Sequence, residues 1–149
     1  MNCEATPFLS MKGRAAEAIG FYERHLQAKV VFLATYEDMK KWDPSTIVKE
    51  GQEHLIAHSV LEVGASKIMI AEDTMVPDSE YVVGNHISLC VSSMDKKEIE
   101  EAYASLIEDP RTRVIVPLAK NCFSDAYGIV QDPFGVFIQL NYDETLSTL

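Results

Sequence analysis

The stretch Tyr127-Gly-Ile-Val-Gln-Asp132-Pro-Phe-Gly135-Val-Phe-Ile-Gln139-Leu-Asn141 predicts two antiparallel strands joined by a tight turn. Pro133 presets φ for the turn, the Asp132 side chain can bond the backbone beyond it, and Gly135 can adopt a positive φ. After the turn, apolar and more polar positions alternate, with Val136, Ile138 and Leu140 on one face and Phe137, Gln139 and Asn141 on the other. One face of the last strand therefore belongs to a core, and the other belongs to a candidate site.

The length, hydrophobic content and net charge of the chain indicate its class of protein. With 149 residues, of which 47% are hydrophobic, it is long enough for one soluble globular domain, or for two halves that share a core. The chain has 13 basic and 23 acidic residues, which gives a formal net charge of −10. Because such a chain repels phosphate backbones, we predict that it does not bind nucleic acid.

The cysteines and the hydrophobic runs indicate a compartment. The chain has three cysteines, an odd number, and its N-terminus does not combine a basic segment with an apolar run. Secretion and a disulfide framework are therefore disfavoured. No apolar run reaches the length of a membrane span, so we predict a cytoplasmic protein that is not inserted in a membrane.

The chain repeats one order of elements. The first half predicts a strand, a helix and three strands, at residues 6–11, 14–26, 29–36, 55–63 and 67–71. The second half predicts the same order at residues 86–92, 95–108, 113–118, 126–131 and 136–141. We interpret residues 1–149 as a single domain of two βαβββ modules, 5–73 and 84–143, joined by a linker at 72–84.

Several short motifs in this order resemble those of a known superfamily. They are Pro7-Phe8-Leu9 in the first strand, Glu17-Ala-Ile-Gly-Phe-Tyr22 in the first helix, His58-Ser-Val-Leu61 in a middle strand, and Asp132-Pro-Phe-Gly135 in the closing hairpin. Together they resemble the vicinal oxygen chelate superfamily of glyoxalases, bleomycin-resistance proteins, fosfomycin-resistance enzymes and extradiol dioxygenases. The most similar branch is the PhnB-like one, which is also labelled 3-demethylubiquinone-9 3-methyltransferase-like.

The resemblance implies an α+β fold, the glyoxalase/bleomycin resistance/dihydroxybiphenyl dioxygenase fold. Its paired βαβββ modules form a curled mixed sheet around a cavity, with the helices on the convex side. The resemblance also implies a homodimer. Because two equivalent halves can pair within one chain or between two, the subunits could exchange strands.

Strand parity assigns side chains to the predicted cavity. The helix-covered faces should be apolar, which sends Ile87, Leu89 and Val91 towards a helix and leaves His86, Ser88 and Cys90 facing inwards. By the same alternation His58, Met69 and Gln139 face inwards. We therefore predict a small-molecule site with His58 and His86 as catalytic candidates and with Met69, Cys90, Tyr127, Phe137, Gln139 and Trp42 in contact with substrate.

The metal positions of the superfamily fall, by resemblance, on Pro7, Met69, His86 and Gln139. Only His86 is a good ligand for divalent ions, because proline has no ligating side chain, a thioether suits soft ions, and an amide oxygen binds weakly. We predict no tightly bound metal and no other cofactor. One alternative stays open, a metal-dependent glyoxalase-type lyase or isomerase, or a dioxygenase, that uses His86 with His58 and Gln139.

The chemistry of the single residues leaves further alternatives. His58 could bind ligand or transfer a proton, and His86 could contact substrate or hydrogen-bond a neighbouring carbonyl. We interpret Cys90 and Cys122 as small buried side chains rather than nucleophiles, and His25 as a surface residue.

A long loop is predicted at residues 37–53. Loops of this length in compact domains are usually lids or binding segments, or are disordered. Trp42 lies within it and is predicted either to cover the cavity or to anchor a subunit contact.

Two classes of function fit these observations. One is an enzyme that acts on a small metabolite by metal-independent proton transfer, and the other is a binding protein that sequesters a small organic molecule. The chain has no glycine-rich loop between a strand and a helix of the kind that cofactor-binding α/β domains use, which argues against a methyltransferase.

Overall fold

Each half of the repeat builds its own four-stranded mixed sheet. The computed structural model describes residues 1–146, and within them it has an α+β fold with eight strands and three α-helices. The chain divides into two units, Met1–Tyr81 and Val82–Leu149. No helix among the described residues is both long and apolar enough to cross a membrane.

The first unit has the strand order β1-β4-β3-β2. Strand β1 is parallel to β4, and the other neighbouring strands are antiparallel. Its elements are β1 (Phe8–Ser10), α1 (Ala15–His25), β2 (Lys29–Thr35), α2 (Tyr36–Trp42), β3 (Ile56–Val63) and β4 (Ser66–Ala71).

The second unit has the equivalent order, β5-β8-β7-β6, with β5 parallel to β8. Its elements are β5 (Ser88–Ser93), α3 (Lys96–Glu108), β6 (Arg113–Ala119), β7 (Tyr127–Gln131) and β8 (Phe137–Tyr142). The repeated order of one strand, one helix and three strands confirms the predicted fold class.

The turn between β7 and β8 forms as predicted. The Asp132 side chain is buried and accepts hydrogen bonds from the backbone N–H groups of Phe134 and Val136, both at 2.9 Å. Gly135 has φ +90°, in the left-handed region that favours glycine. This turn sets the register of β8, and so decides which of its side chains lie on each face.

Each sheet buries the face that its helix covers. In the first unit α1 packs on β2, β3 and β4, and the buried sheet residues include Ala57, Ser59, Leu61, Ile68 and Ile70. In the second unit α3 packs on all four strands, and the buried residues include Ile99, Leu106, Val130, Ile138 and Leu140. The predicted parity of β3, β4 and β8 is confirmed by this burial.

The predicted loop at 37–53 is wrong in its first part, because residues Tyr36–Trp42 form helix α2. None of its seven residues is buried, so no apolar stripe marks it in the sequence. Its N-terminus is instead stabilised locally. The Thr35 hydroxyl accepts from the Asp38 N–H, and the Asp38 carboxylate accepts from the Thr35 N–H at 2.9 Å, which is a capping box.

Three smaller predictions are also wrong. Strand β5 begins at Ser88 and not at residue 86. Ser88 pairs with Phe137, the first residue of β8. Residues before Ser88 have no strand to pair with, because the residues before Phe137 belong to the turn around Gly135. Cys90 and Cys122 are exposed and not buried. His25 is buried, and its ring lies 4.5 Å from that of Phe21 between centroids.

The predicted linker at 72–84 is ordered at its start. Glu72 is buried, and its carboxylate accepts hydrogen bonds from the backbone N–H groups of Gly13 and Ala15, at the beginning of α1. The Arg14 side chain does not cap this helix, so Glu72 supplies the acceptor from a distant part of the chain. Further along, the Tyr81 hydroxyl donates to the backbone oxygen of Ser10 at 2.8 Å.

Candidate functional site

One face of the sheet in the second unit is polar, on the side opposite to α3. We call it the amide face and define it by Ser88, Cys90, Tyr127, Phe137 and Gln139. The strand register brings these residues together, because Cys90 pairs with Gln139 and Ser88 pairs with Phe137. Four of the predicted substrate contacts therefore lie on one surface.

Gln139 is the centre of the amide face. Its Oε1 accepts a hydrogen bond from the Tyr127 hydroxyl at 2.7 Å, and its Nε2 donates to the Ser88 hydroxyl oxygen at 2.6 Å. These two bonds join side chains of β7, β8 and β5 and hold the amide in one orientation. An amide has two N–H donors, so one N–H of Gln139 remains for another acceptor, and the Ser88 hydroxyl can also donate.

The predicted residues of the first unit lie on a second surface, the histidine face, defined by Phe8, Phe32, His58 and Met69. The register joins Phe8 to Met69, Met69 to Val60, and Val60 to Phe32 across the four strands. The His58 ring lies between two phenylalanines, with centroids 6.3 Å from Phe8 and 5.9 Å from Phe32. Strand parity alone predicted His58 and Met69 here, but did not single out the two rings beside them.

The ring nitrogens of His58 are available to a ligand. The side chain is half-buried, and within residues 1–146 it makes no hydrogen bond. Trp42 ends helix α2 with 64% of its surface exposed, and its ring centroid is 6.4 Å from that of Phe32. An aromatic row therefore runs beside His58 to the end of α2.

His86 is separate from these surfaces. It precedes β5 in an irregular segment of the second unit and is exposed. The described residues give it no hydrogen-bond partner. The prediction that His86 shares a site with His58 and Gln139 stays a prediction.

The four metal positions of the superfamily do not fit a metal ion in this chain. The Pro7 backbone oxygen accepts from the Met69 N–H at 2.8 Å, and both Gln139 amide atoms already have partners. Within residues 1–146 there is no group of three His, Cys, Asp or Glu side chains that could hold a metal. The identities of Pro7, Met69 and Gln139 are the reason for this misfit.

The first unit also contains a polar cleft of about 410 Å³ that the sequence did not predict. It lies at one end of the sheet, and its lining includes Lys12, Tyr36, Lys49, Leu55, Glu72 and Asp73. The Tyr36 hydroxyl donates to Asp73 Oδ1 at 2.5 Å. Burial, this hydrogen bond, and the charges of Asp73 and Glu72 raise the pKa of Tyr36 well above its ordinary value of 10.0. The phenol is therefore held in its neutral form.

The two sheets have the equivalent strand orders β1-β4-β3-β2 and β5-β8-β7-β6, and a helix covers one face of each. This arrangement is the glyoxalase/bleomycin resistance fold. A solved protein described as a glyoxalase/bleomycin resistance protein/dioxygenase family enzyme, from Burkholderia phytofirmans PsJN, is similar to this chain with a TM-score of 0.61. The two sequences are 12% identical, and the match covers 93% of this chain and 94% of the other.

The chain belongs to the family described as 3-demethylubiquinone-9 3-methyltransferase, whose model matches residues 3–141. A solved structure from Bacillus cereus, described as a putative 3-demethylubiquinone-9 3-methyltransferase, PhnB protein, is 24% identical with a TM-score of 0.70, over 95% of this chain and all of that one. Protein YjdN of Escherichia coli (strain K12) is 23% identical over 141 residues, which are 91% of this chain and 92% of YjdN. These findings confirm the predicted PhnB-like branch of the vicinal oxygen chelate superfamily.

Proposed function

We propose that this protein binds a small organic ligand at the amide face, without a tightly bound metal. The observation that supports the proposal is the arrangement of Gln139, whose amide is held by Tyr127 and Ser88 and keeps an N–H for a further acceptor. Binding sites commonly combine a few oriented polar groups with apolar walls. Here Phe137 supplies apolar surface on the same face, beside Ser88.

The chemistry of the amide face indicates the kind of group it recognises. Gln139 and Ser88 can both donate, and none of the residues that define the face carries a full charge. A neutral oxygen acceptor, such as a carbonyl or ether oxygen, matches these donors without leaving an unpaired charge. We therefore expect an uncharged oxygen next to an apolar part of the ligand.

A fragment screen tests the binding role of Gln139. We expect ligand-observed NMR to find small carbonyl-containing aromatic fragments that bind wild type and that bind Gln139→Leu roughly tenfold more weakly, because a buried hydrogen bond is lost. Gln52→Leu makes the same chemical change at an exposed position of the first unit and should leave the affinity unchanged. Equal affinity of wild type and Gln139→Leu for every fragment would contradict the proposal.

Elemental analysis tests the metal-free part of the proposal. Protein purified without a histidine tag should hold far less than one equivalent of metal after incubation with Ni²⁺, Zn²⁺, Mn²⁺ and Fe²⁺, because the superfamily positions carry Pro7, Met69 and Gln139. The matched variants are His58→Ala and His86→Ala. Near-stoichiometric metal that is lost in either variant would favour the chelate-type enzyme that uses His86, His58 and Gln139.

A second candidate function is catalysis by proton transfer, and the half-buried His58 ring, which makes no hydrogen bond within residues 1–146, favours it. An imidazole can act as a general acid or base when its nitrogens reach the substrate. Mass spectrometry of the whole fragment set after incubation with the protein would detect conversion at the histidine face. Product that forms with wild type and not with His58→Phe would support an enzyme, and unchanged fragments would support a binding protein.

Methyl transfer, which the family description names, is not part of this proposal. The strand order β5-β8-β7-β6 with mostly antiparallel neighbours differs from the parallel sheet of cofactor-binding α/β domains. Within the described residues no glycine-rich loop joins a parallel strand to a helix.

A further inference from the structure

The cleft of the first unit is lined by charges of both signs that do not pair with each other. Its volume is about 410 Å³, and the charged groups in its lining are those of Lys12, Lys49, Glu72, Asp73 and Asp78. In the part of the chain that the structure describes, no ion pair joins any two of these side chains. Both ammonium and carboxylate groups of the cleft are therefore open to a ligand.

Glu72 is the one charge in the cleft that the fold itself uses. Its carboxylate is buried and accepts hydrogen bonds from the backbone N–H groups of Gly13 and Ala15. The start of helix α1 therefore already has a negatively charged partner and is not open to an anion from solution. An anionic group of a ligand in this cleft must bind a lysine instead.

Asp73 presents a carboxylate in a fixed orientation. Its Oδ1 accepts the hydrogen bond from the Tyr36 hydroxyl at 2.5 Å, and residues 1–146 supply no donor to its other oxygen. The side chain is exposed, so a ligand can reach this second oxygen. An ammonium group is a strong donor to a carboxylate, because both partners are charged.

Lys12 presents an ammonium group that is also held in place. Its Nζ donates to the backbone oxygen of Asp78 at 3.0 Å and lies 5.1 Å from the centroid of the Tyr81 ring. An ammonium has three N–H donors, so two remain for a ligand. Lys12 has φ +40°, in the left-handed region that favours glycine, and side chains held in this way are concentrated at functional sites.

Apolar side chains complete the lining. Val48 and Leu55 are half-buried and face the same cleft. The volume of the cleft is in the range of small-molecule sites, which combine apolar walls with a few oriented polar groups. A ligand that matches this lining carries one charge of each sign on a small aliphatic body.

We propose that the cleft binds a small aliphatic zwitterion, with its ammonium group on Asp73 and its carboxylate on Lys12. An amino acid with an aliphatic side chain has this chemistry. The site is additional to the amide face, and the inference does not rest on the proposed function, because the cleft and the amide face belong to different units.

Leucine and two analogues that each keep one charge test the ligand class. The analogue 3-methylbutylamine lacks the carboxylate, and 4-methylpentanoate lacks the ammonium group. Titrations of the isotope-labelled full chain are followed by NMR through the backbone amides of Gly13, Tyr36 and Asp73. We expect leucine to bind about tenfold more tightly than either analogue, because each analogue loses one hydrogen bond between charged groups.

Variants of the two charged residues test which group of the ligand each one binds. Asp73→Asn should weaken leucine and the amine about tenfold and leave the affinity for 4-methylpentanoate unchanged. Lys12→Asn should weaken leucine and 4-methylpentanoate and leave the affinity for the amine unchanged. Glu23→Gln and Lys40→Gln remove the same kinds of charge at exposed positions on α1 and α2 outside the cleft lining, and should change none of the affinities.

The stability of Lys12→Asn separates a binding role from a structural one. Asparagine adopts the left-handed region more readily than lysine, so the variant should unfold at the same or a higher urea concentration than wild type. A lower midpoint together with equal weakening of all three ligands would show that Lys12 supports the fold, and would overturn the inference. So would the absence of leucine binding to wild type, or equal affinities of wild type for leucine and its two analogues.

Discussion

At the scale of single residues, Tyr36 is a group that the sequence offered no reason to single out. It opens helix α2, faces the cleft of the first unit and donates to Asp73. Burial first, and then the hydrogen bond and charge of Asp73 and the charge of Glu72, disfavour the phenolate. The acidic neighbours follow β4 in the chain, so only the sheet pairing brings them to Tyr36.

The pH dependence of stability should report this environment. A folded pKa above the ordinary 10.0 means that the folded protein holds its proton more tightly than the unfolded chain does. The stabilisation from Tyr36 is therefore fully present below pH 10 and is lost as the pH rises through the folded pKa. We expect urea unfolding of wild type and Tyr36→Phe to show a difference that changes above pH 10 and is constant below it.

Asp73→Asn supplies the control for the Tyr36 prediction. It removes one negative charge and should bring the pKa of Tyr36 back towards 10.0, which the ultraviolet absorbance of the phenolate measures directly. An unchanged phenolate titration in Asp73→Asn would show that the pair does not form in solution.

Residue-level prediction from the sequence succeeded where alternation decides position. Tyr127, Phe137 and Gln139 lie on the face that a period of two assigns to them. The strand boundary at His86 was wrong, because β5 begins at Ser88, and alternation could not show that Asn141 Oδ1 is buried without a hydrogen bond among the described residues. Burial of a particular atom is a property of packing that no pattern in one chain encodes.

At the scale of elements, the strands and the two longer helices were predictable because each has an apolar face. Helix α2 was not, since it buries none of its residues. The available signal was local. Thr35 stands three residues before Asp38, which is the spacing of a capping box, and acidic residues precede basic ones along the helix.

The capping box should control the stability of α2. Thr35→Ala removes the acceptor for the Asp38 N–H, and a lost N-cap of this kind makes backbone amides of the first turn exchange with solvent about fivefold faster. Hydrogen exchange of Tyr36–Trp42 followed by NMR measures the effect. Thr46→Ala, outside the helix, should leave these rates unchanged, and equal exchange in wild type and Thr35→Ala would contradict the capping role.

At the scale of the whole molecule, we propose that the protein is a homodimer. Strands β2 and β6 lie at the edges of their sheets, and each exposes a run of apolar side chains, namely Val31, Phe32 and Leu33, and Val114, Ile115 and Val116. Exposed apolar edge strands are typical of surfaces that pair with another chain. The superfamily resemblance supports the same proposal.

Light scattering after size exclusion tests this proposal. Wild type should elute with twice the chain mass of 16.7 kDa, and Val31→Lys or Ile115→Lys should shift the protein towards the single-chain mass. Val76→Lys changes an equally exposed valine outside the sheets and serves as the control. A wild-type protein of single-chain mass at all concentrations would exclude the dimer.

The separation of each sheet into a buried face and a free face has a consequence for how such a protein diverges after duplication. The helix-covered side chains of both copies must remain compatible with folding, whereas positions such as His58, Met69, Cys90 and Gln139 lie outside the two cores. Substitutions at these positions change ligand recognition with little effect on the stability of the fold. The free face of one βαβββ unit can therefore change in evolution while that of the other unit stays the same. A directed-evolution library restricted to these positions would therefore explore new ligands while most of its members remain folded.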